Sequence, residues 1–142
     1  MKRYQIADPE TGQAYFRSEE LACPTTGEIR LAKGFAEELL KLRKAFGEAM
    51  IVTSCCRSPE HNKKLIREGL PAHPKSLHLT QSPHREIDGC CAIDIAVLNS
   101  GYAWRLARIA LSLDWSVGLA KTFIHLDLRK RFINRPPAFF AY

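Results

Sequence analysis

Apolar residues recur with helical spacing between residues 31 and 46. Phe35, Leu39, Leu42 and Phe46 fall at i, i+4, i+7 and i+11, while Glu37, Glu38, Lys41 and Lys44 face away. The spacing predicts an amphipathic helix over 31–46, stopped by Gly47 just past its end. Met50-Ile51-Val52-Thr53 reads as a short buried strand. Ser58-Pro59-Glu60 carries a helix start, with Ser as N-cap and Pro in the first turn, and the helix runs to about residue 68, where Gly69 ends it. Residues 70–90 hold three prolines and three histidines without periodicity, a long loop of the kind that is functional or disordered in compact domains. The pattern then gives a strand over 91–97 and a helix over 102–113 capped by Asn99-Ser100-Gly101, with Leu106, Ile109, Ala110 and Leu113 inward. Strands follow over 115–119 and 122–128. Before this series, the turn signals ADPETG and CPTTGE flank AYFRSEELAC, a short strand and helical turn. After it, a basic tail from Lys130 ends in FINRPPAFFAY, expected to pack over the surface by its aromatics. Helices and late strands without repeat or linker predict one α+β domain over 1–142, a small antiparallel sheet flanked by helices.

Composition narrows the classes. The 142 residues are 46% hydrophobic and 25% charged, which excludes a disordered chain, and a net charge of +6 suits an anionic partner. No apolar run reaches the 18 or more residues of a membrane span. The start, MKRYQIADPETG, has two basic residues but no apolar stretch, so synthesis in the cytoplasm without a secretory signal is expected. Cys23, Cys55, Cys56, Cys90 and Cys91 are odd in number and include two adjacent pairs, which reads as reduced, mostly buried thiols. The C-x2-C spacing of thiolate zinc ribbons is missing.

Strand alternation exposes the chemistry. In TFIHLDLR, Thr122, Ile124, Leu126 and Leu128 share one face, and Phe123, His125, Asp127 and Arg129 the other. The plain reading of the second face is a solvated surface with a local salt bridge. In CAIDIAV, Asp94 sits between Ala92 and Ala96 on its face, where an unpaired carboxylate is costly to bury. Ser76-Leu77-His78 lies in the long loop. Two imidazoles and a carboxylate from three segments have the make-up of a catalytic zinc site, with the fourth position left to water. Arg57, where a strand runs into a helix, suits oxyanion or carboxylate recognition.

In this order, SCCRSPEHN (54–62), SLHLT with CCAID (76–80 and 90–94) and VGLAKTFIHLDLR (117–129) resemble the zinc D-Ala-D-Ala carboxypeptidase and endopeptidase family, most of all its small phage-lysin-like members. The likeness extends over nearly the whole chain. It implies a hedgehog/DD-peptidase-like zinc fold, with Zn2+ held by His78, Asp94 and His125 and Arg57 stabilising the carbonyl oxygen of the scissile bond. It also implies hydrolysis of a peptide bond in peptidoglycan stem peptides or cross-links by a monomer without nucleic-acid or membrane partners, reaching the wall after phage-mediated release. The chain departs from the family pattern at two places. QSPHREIDG lengthens the spacing between His78 and Asp94 and makes His84 a rival ligand. Thr122 stands where relatives carry an acid, so the general base falls to Asp127, which shares a strand face with His125, or to Glu86 or Asp88 in the inserted loop. Those same departures support a different expectation, a zinc-binding module of this fold that has lost catalysis.

Overall fold

The computed structural model describes residues 4–142; Lys2 and Arg3, the basic residues at the N-terminus, lie outside the described residues. Strands β1 (Gln5–Ala7) and β2 (Ala14–Arg17) pair antiparallel as a small ribbon and lead into the one-turn helix α1 (Ser18–Leu21). Helix α2 (Phe35–Phe46) starts four residues later than its periodicity suggests. Gly34 holds a left-handed conformation at its N-cap, and Leu31 is taken by a bridge to Cys90. Its apolar face is as expected: Phe35, Leu39, Leu42 and Phe46 are all buried.

Strand β3 (Val52–Ser54) lies two residues beyond its expected start and is only half-buried, with Ile51 55% exposed, because it forms an edge. Helix α3 (Pro59–Arg67) begins where Ser58 accepts a 3.1 Å hydrogen bond from the His61 amide. Strand β4 (Ala92–Ala96) is followed by helix α4 (Ser100–Ser112), whose N-cap Asn99 accepts from the Tyr102 amide at 2.8 Å. Tyr102, Leu106, Ala107 and Ala110 form its buried stripe, with Ile109 and Leu113 half-buried beside it.

Strands β5 (Ser116–Leu119) and β6 (Phe123–Asp127) complete the centre of a sheet ordered β3-β4-β6-β5, all antiparallel. The tail does more than cover the surface. After the short helix α5 (Arg129–Ile133), strand β7 (Phe139–Ala141) adds to β5 in parallel and becomes the sheet's other edge. Gly118 makes room for it: a Cβ there would lie 2.5 Å from the Phe140 ring.

This α+β sheet has two buried faces with different contents. Alternation turns Ile93, Ile95, Ile124 and Leu126 into the apolar core with residues of α2, α4 and Trp115. The opposite face carries Asp94, His125 and Asp127, which are also buried and not solvated. Register sets them together, for Asp94 pairs with His125 across β4 and β6, and Ala92 with Asp127. No described helix is long and apolar enough to cross a membrane.

Candidate metal centre

Asp94 is the hub. Its Oδ1 lies 3.0 Å from His78 Nε2 and 3.0 Å from His125 Nδ1, and its Oδ2 accepts from Arg57 Nη2 at 3.3 Å. Nδ1 or Nε2 of each histidine and one Asp94 oxygen all lie within 4.8 Å of one another. His125 and Asp94 arrive by strand pairing. His78 arrives from the loop, which is tied back to the arginine segment: the Arg57 amide donates to the His78 carbonyl at 2.9 Å and the Thr80 amide to the Arg57 carbonyl at 2.9 Å. The Cys91 amide also donates to Leu77 at 2.9 Å. These bonds give a histidine on irregular backbone the fixed position of a strand residue.

The ring protons are fixed by outer partners. His78 Nδ1 donates to the Cys55 carbonyl at 2.7 Å; a carbonyl only accepts, so the proton of the neutral ring sits on Nδ1. Its Nε2 therefore turns a bare lone pair on a carboxylate oxygen. On the other side, His125 Nε2 meets Asp127 Oδ2 at 2.7 Å. In the neutral form that a metal requires, His125 donates there and aims its Nδ1 lone pair at Asp94. Without an ion, a proton on His125 Nδ1 bridges it to Asp94; a cation that displaces this proton meets three lone pairs at one point. Tetrahedral ligands about 2.0–2.1 Å from one zinc ion are about 3.3 Å apart, close to the 3.0 Å contacts here. The donor set and its spacing fit Zn2+.

Charge follows the same logic. Burial pushes His78 below the ordinary imidazole value, with Arg57 and His125 adding to the effect against the pull of Asp94. Burial would lower His125 too, but hydrogen bonds to Asp127 and Asp94 outweigh it and raise the ring to about 9. Burial would raise the Asp94 and Asp127 carboxyls. His78 and His125 around Asp94, and His125 and Arg129 around Asp127, hold both well below the usual range.

Asp127 is placed behind His125, not beside the converging lone pairs. It is fully buried, and both of its oxygens are occupied: Oδ1 accepts from the Arg129 amide and Nε at 3.0 Å each, and Oδ2 from Arg129 Nη2 at 2.8 Å as well as His125. His84 is exposed and is not among the three converging residues. Glu86 and Asp88 are exposed as well; Asp88 faces Arg30 at 3.6 Å, and neither lines the cavity in front of the cluster. Thr122 is exposed ahead of β6.

That cavity, about 580 Å³, has His78 and His125 in its lining together with Arg57, Lys75, Arg129 and Arg135. Phe140 of β7 and Tyr142 just past it complete one wall, with the Phe140 ring centroid 6.0 Å from that of His125. Sequence reasoning missed this wall. The aromatic tail was visible, but nothing local to it shows that it joins the sheet beside Gly118. Arg57 is 6% exposed, and Ser54 Oγ accepts from its Nε at 3.1 Å, so its guanidinium is fixed between β3 and Asp94.

Among known families, the model for Peptidase M15 matches residues 14–127 of the chain, a span that contains all three converging residues and Arg57 and ends at Asp127. Searches of curated proteins and of solved structures gave no significant match.

Proposed function

The chain belongs to the Peptidase M15 family of zinc metallopeptidases, and from that premise we propose that it hydrolyses a peptide bond in peptidoglycan stem peptides or cross-links, with His78, Asp94 and His125 holding the zinc. The observation that carries this reading is the meeting of two imidazole nitrogens and a carboxylate oxygen at one side of a cation-rich cavity. Bound there, zinc supplies a Lewis acid for the scissile carbonyl and lowers the pKa of a water to about 7.

The chain's own residues do the rest. Lys75, Arg129 and Arg135 attract the carboxylates that stem peptides carry, and the net charge of +6 favours adsorption to an anionic wall. Arg57 keeps N–H donors beyond those spent on Ser54 and Asp94, and they stabilise the carbonyl oxygen as it gains charge. Phe140 and Tyr142 shield that oxygen from bulk water. Asp127 holds the His125 ring in orientation, a role that replaces proton transfer in this reading because both of its oxygens are already bonded. The reading takes 1–142 as one domain acting as a monomer on the cell wall, after phage-mediated release.

A specific observation favours a second reading, a zinc-binding module without catalysis. Among the described residues, no carboxylate with a free oxygen lines the cavity, and His73, which does line it, already accepts the Lys75 amide on Nδ1 at 3.0 Å. Incubating the purified protein with peptidoglycan, with and without a chelator, and analysing the muropeptides by mass spectrometry separates the two. Chelator-sensitive cleavage is expected, and the fragment masses identify the bond. Intact muropeptides from protein carrying stoichiometric zinc would refute the peptidase and leave the module.

A further inference from the structure

A second set of metal-ligating side chains meets away from the histidines. The Cys90 sulfur lies 3.7 Å from that of Cys55 and 3.6 Å from that of Cys56. The three sulfurs lie within 4.8 Å of one another, and none of the three residues is more than 2% exposed. All five cysteines are free thiols.

Their convergence is not what a strand would give. Neighbouring residues of an extended strand point to opposite faces, so Cys55 and Cys56 in a continued β3 would bring only one sulfur to Cys90. The strand instead stops at Ser54, and the chain turns as the Cys56 amide donates to the Leu21 carbonyl at 3.0 Å. Both sulfurs now face the third. Cys90 is held in turn by its amide, which donates to the Arg30 carbonyl at 2.7 Å, and by its bridge to Leu31. The missing C-x2-C spacing excludes a zinc ribbon but not a site assembled from two segments.

The distances suit a metal. Sulfurs about 2.3 Å from one tetrahedral zinc ion are about 3.8 Å apart, and the two contacts to Cys90 are 3.7 and 3.6 Å. We propose that Cys55, Cys56 and Cys90 form a second metal site, a three-thiolate site for a thiophilic d10 cation such as Cu+, Zn2+ or Cd2+. Thiolate ligands select ions of this class. Binding exchanges the three thiol protons, which pass to solvent, for the cation, and no electron moves. A divalent ion on three thiolates leaves one negative charge, and the Arg57 guanidinium is within electrostatic reach of Cys55 and Cys90 to oppose it. The two sites share a backbone, because the Cys55 carbonyl is the group that accepts His78 Nδ1–H. An ion on the sulfurs therefore stiffens the segment that orients one imidazole. The proposal does not depend on peptidase activity.

Because the sulfurs are buried, the ion must enter as the chain folds. The test unfolds the full chain under reducing, metal-free conditions and refolds it with excess Cd2+, after which unbound ion is removed. The expected result is one sulfur-coordinated Cd2+ per chain, seen as thiolate-to-cadmium charge-transfer absorption and as cadmium–sulfur scattering in X-ray absorption. The His78–Asp94–His125 centre contains no sulfur and cannot produce either signal. Cys90→Ser and Cys56→Ala should each abolish the signal, whereas Cys91→Ser should keep it. Refolded native protein without sulfur coordination overturns the proposal whatever the variants do. So does a signal that persists in both Cys90→Ser and Cys56→Ala, or one that Cys91→Ser removes.

Discussion

Replacing Asp127 with Asn tests whether this carboxylate orients a ligand or moves a proton. The native side chain receives His125 at 2.7 Å and a two-pronged contact from Arg129 at 3.0 and 2.8 Å. Asparagine is the same size and its amide oxygen still accepts one hydrogen bond, so the packing survives. The negative charge does not, and hydrogen bonds to charged partners are roughly twice as strong as neutral ones. Without it, His125 Nδ1 is a poorer metal donor and Arg129 loses its anion. Removing such an outer partner of a metal-bound histidine typically lowers metal affinity about 10–100-fold, which corresponds to about 1.4–2.7 kcal/mol. The metal-free protein should lose about 1–3 kcal/mol of stability, the range for hydrogen bonds to charged groups with one partner kept.

The assay is competition for zinc against a chromophoric chelator, run beside denaturant melts of the metal-free proteins. An affinity reduced by the stated factor, with residual turnover restored by added zinc, is the expected result. Zinc affinity equal to wild type, together with turnover down by about 10²–10⁴ and loss of the acidic limb of the pH–rate profile, would refute the reasoning and make Asp127 the base.

Three other perturbations check different parts of the structure. His78→Ala should abolish stoichiometric zinc while His84→Ala retains it, and metal analysis giving the reverse would move the centre to the 81–88 loop. Gly118→Ala should push Phe140 aside, since the added Cβ would sit 2.5 Å from its ring. A loss of about 1–3 kcal/mol is expected, with faster hydrogen exchange at the Val117 and Tyr142 amides that join β5 to the tail, and unchanged exchange would show that the strand does not depend on that contact. Lys44→Met concerns the pair in which exposed Lys44 Nζ approaches the buried Asp8 carboxylate at 2.9 Å, a bond that holds the Asp8 carboxyl below its ordinary 3.8. A depressed carboxyl contributes stability above the unfolded value and loses it as pH falls through the folded one. The variant should therefore melt below wild type at neutral pH, with the gap closing only below about pH 3.8, and a gap independent of pH would assign the effect to packing.

The residues of the centre were legible because period-2 alternation is a strong local constraint. It put His125 and Asp127 on one face of β6 and isolated Asp94 among small neighbours before any contact was known. The helix of Phe35 to Phe46 was legible for the same kind of reason, with only its start displaced by Gly34. Alternation says which face a side chain takes, not what covers that face. The His125 face was open to reading as solvated because its cover comes from distant segments, the 70–80 loop and the tail at Phe140. Nor does alternation say which nitrogen of His125 meets which acid. That depends on cross-strand register, which sets Asp94 beside His125 on one strand and leaves Asp127 to reach back along its own.

The loop over 81–88 shows how two residues far apart in sequence can still meet. His78 and Asp94 are sixteen positions apart, yet the Gly89 amide donates to the Thr80 carbonyl at 2.9 Å, so residues 81–88 leave the path and return to it at one point. With those eight set aside, seven residues separate His78 from Asp94 along the direct route. Loop-closure entropy grows only slowly with length, and the excursion is held from within. Arg85 donates to the Ser76 and Ile87 carbonyls at 3.2 Å, to Gly89 at 3.0 Å and to Leu79. Its return point is equally constrained: Gly89 has φ +99, and a Cβ there would fall 2.3 Å from the Ala32 amide nitrogen. Only glycine permits that approach without strain, and the approach is what sets Cys90 against Leu31 and starts β4 in register. Residues 81–88 therefore shape the rim of the molecule, where His84, Glu86 and Asp88 are exposed, while Thr80 and Gly89 hold the geometry of the cluster across the base of the loop.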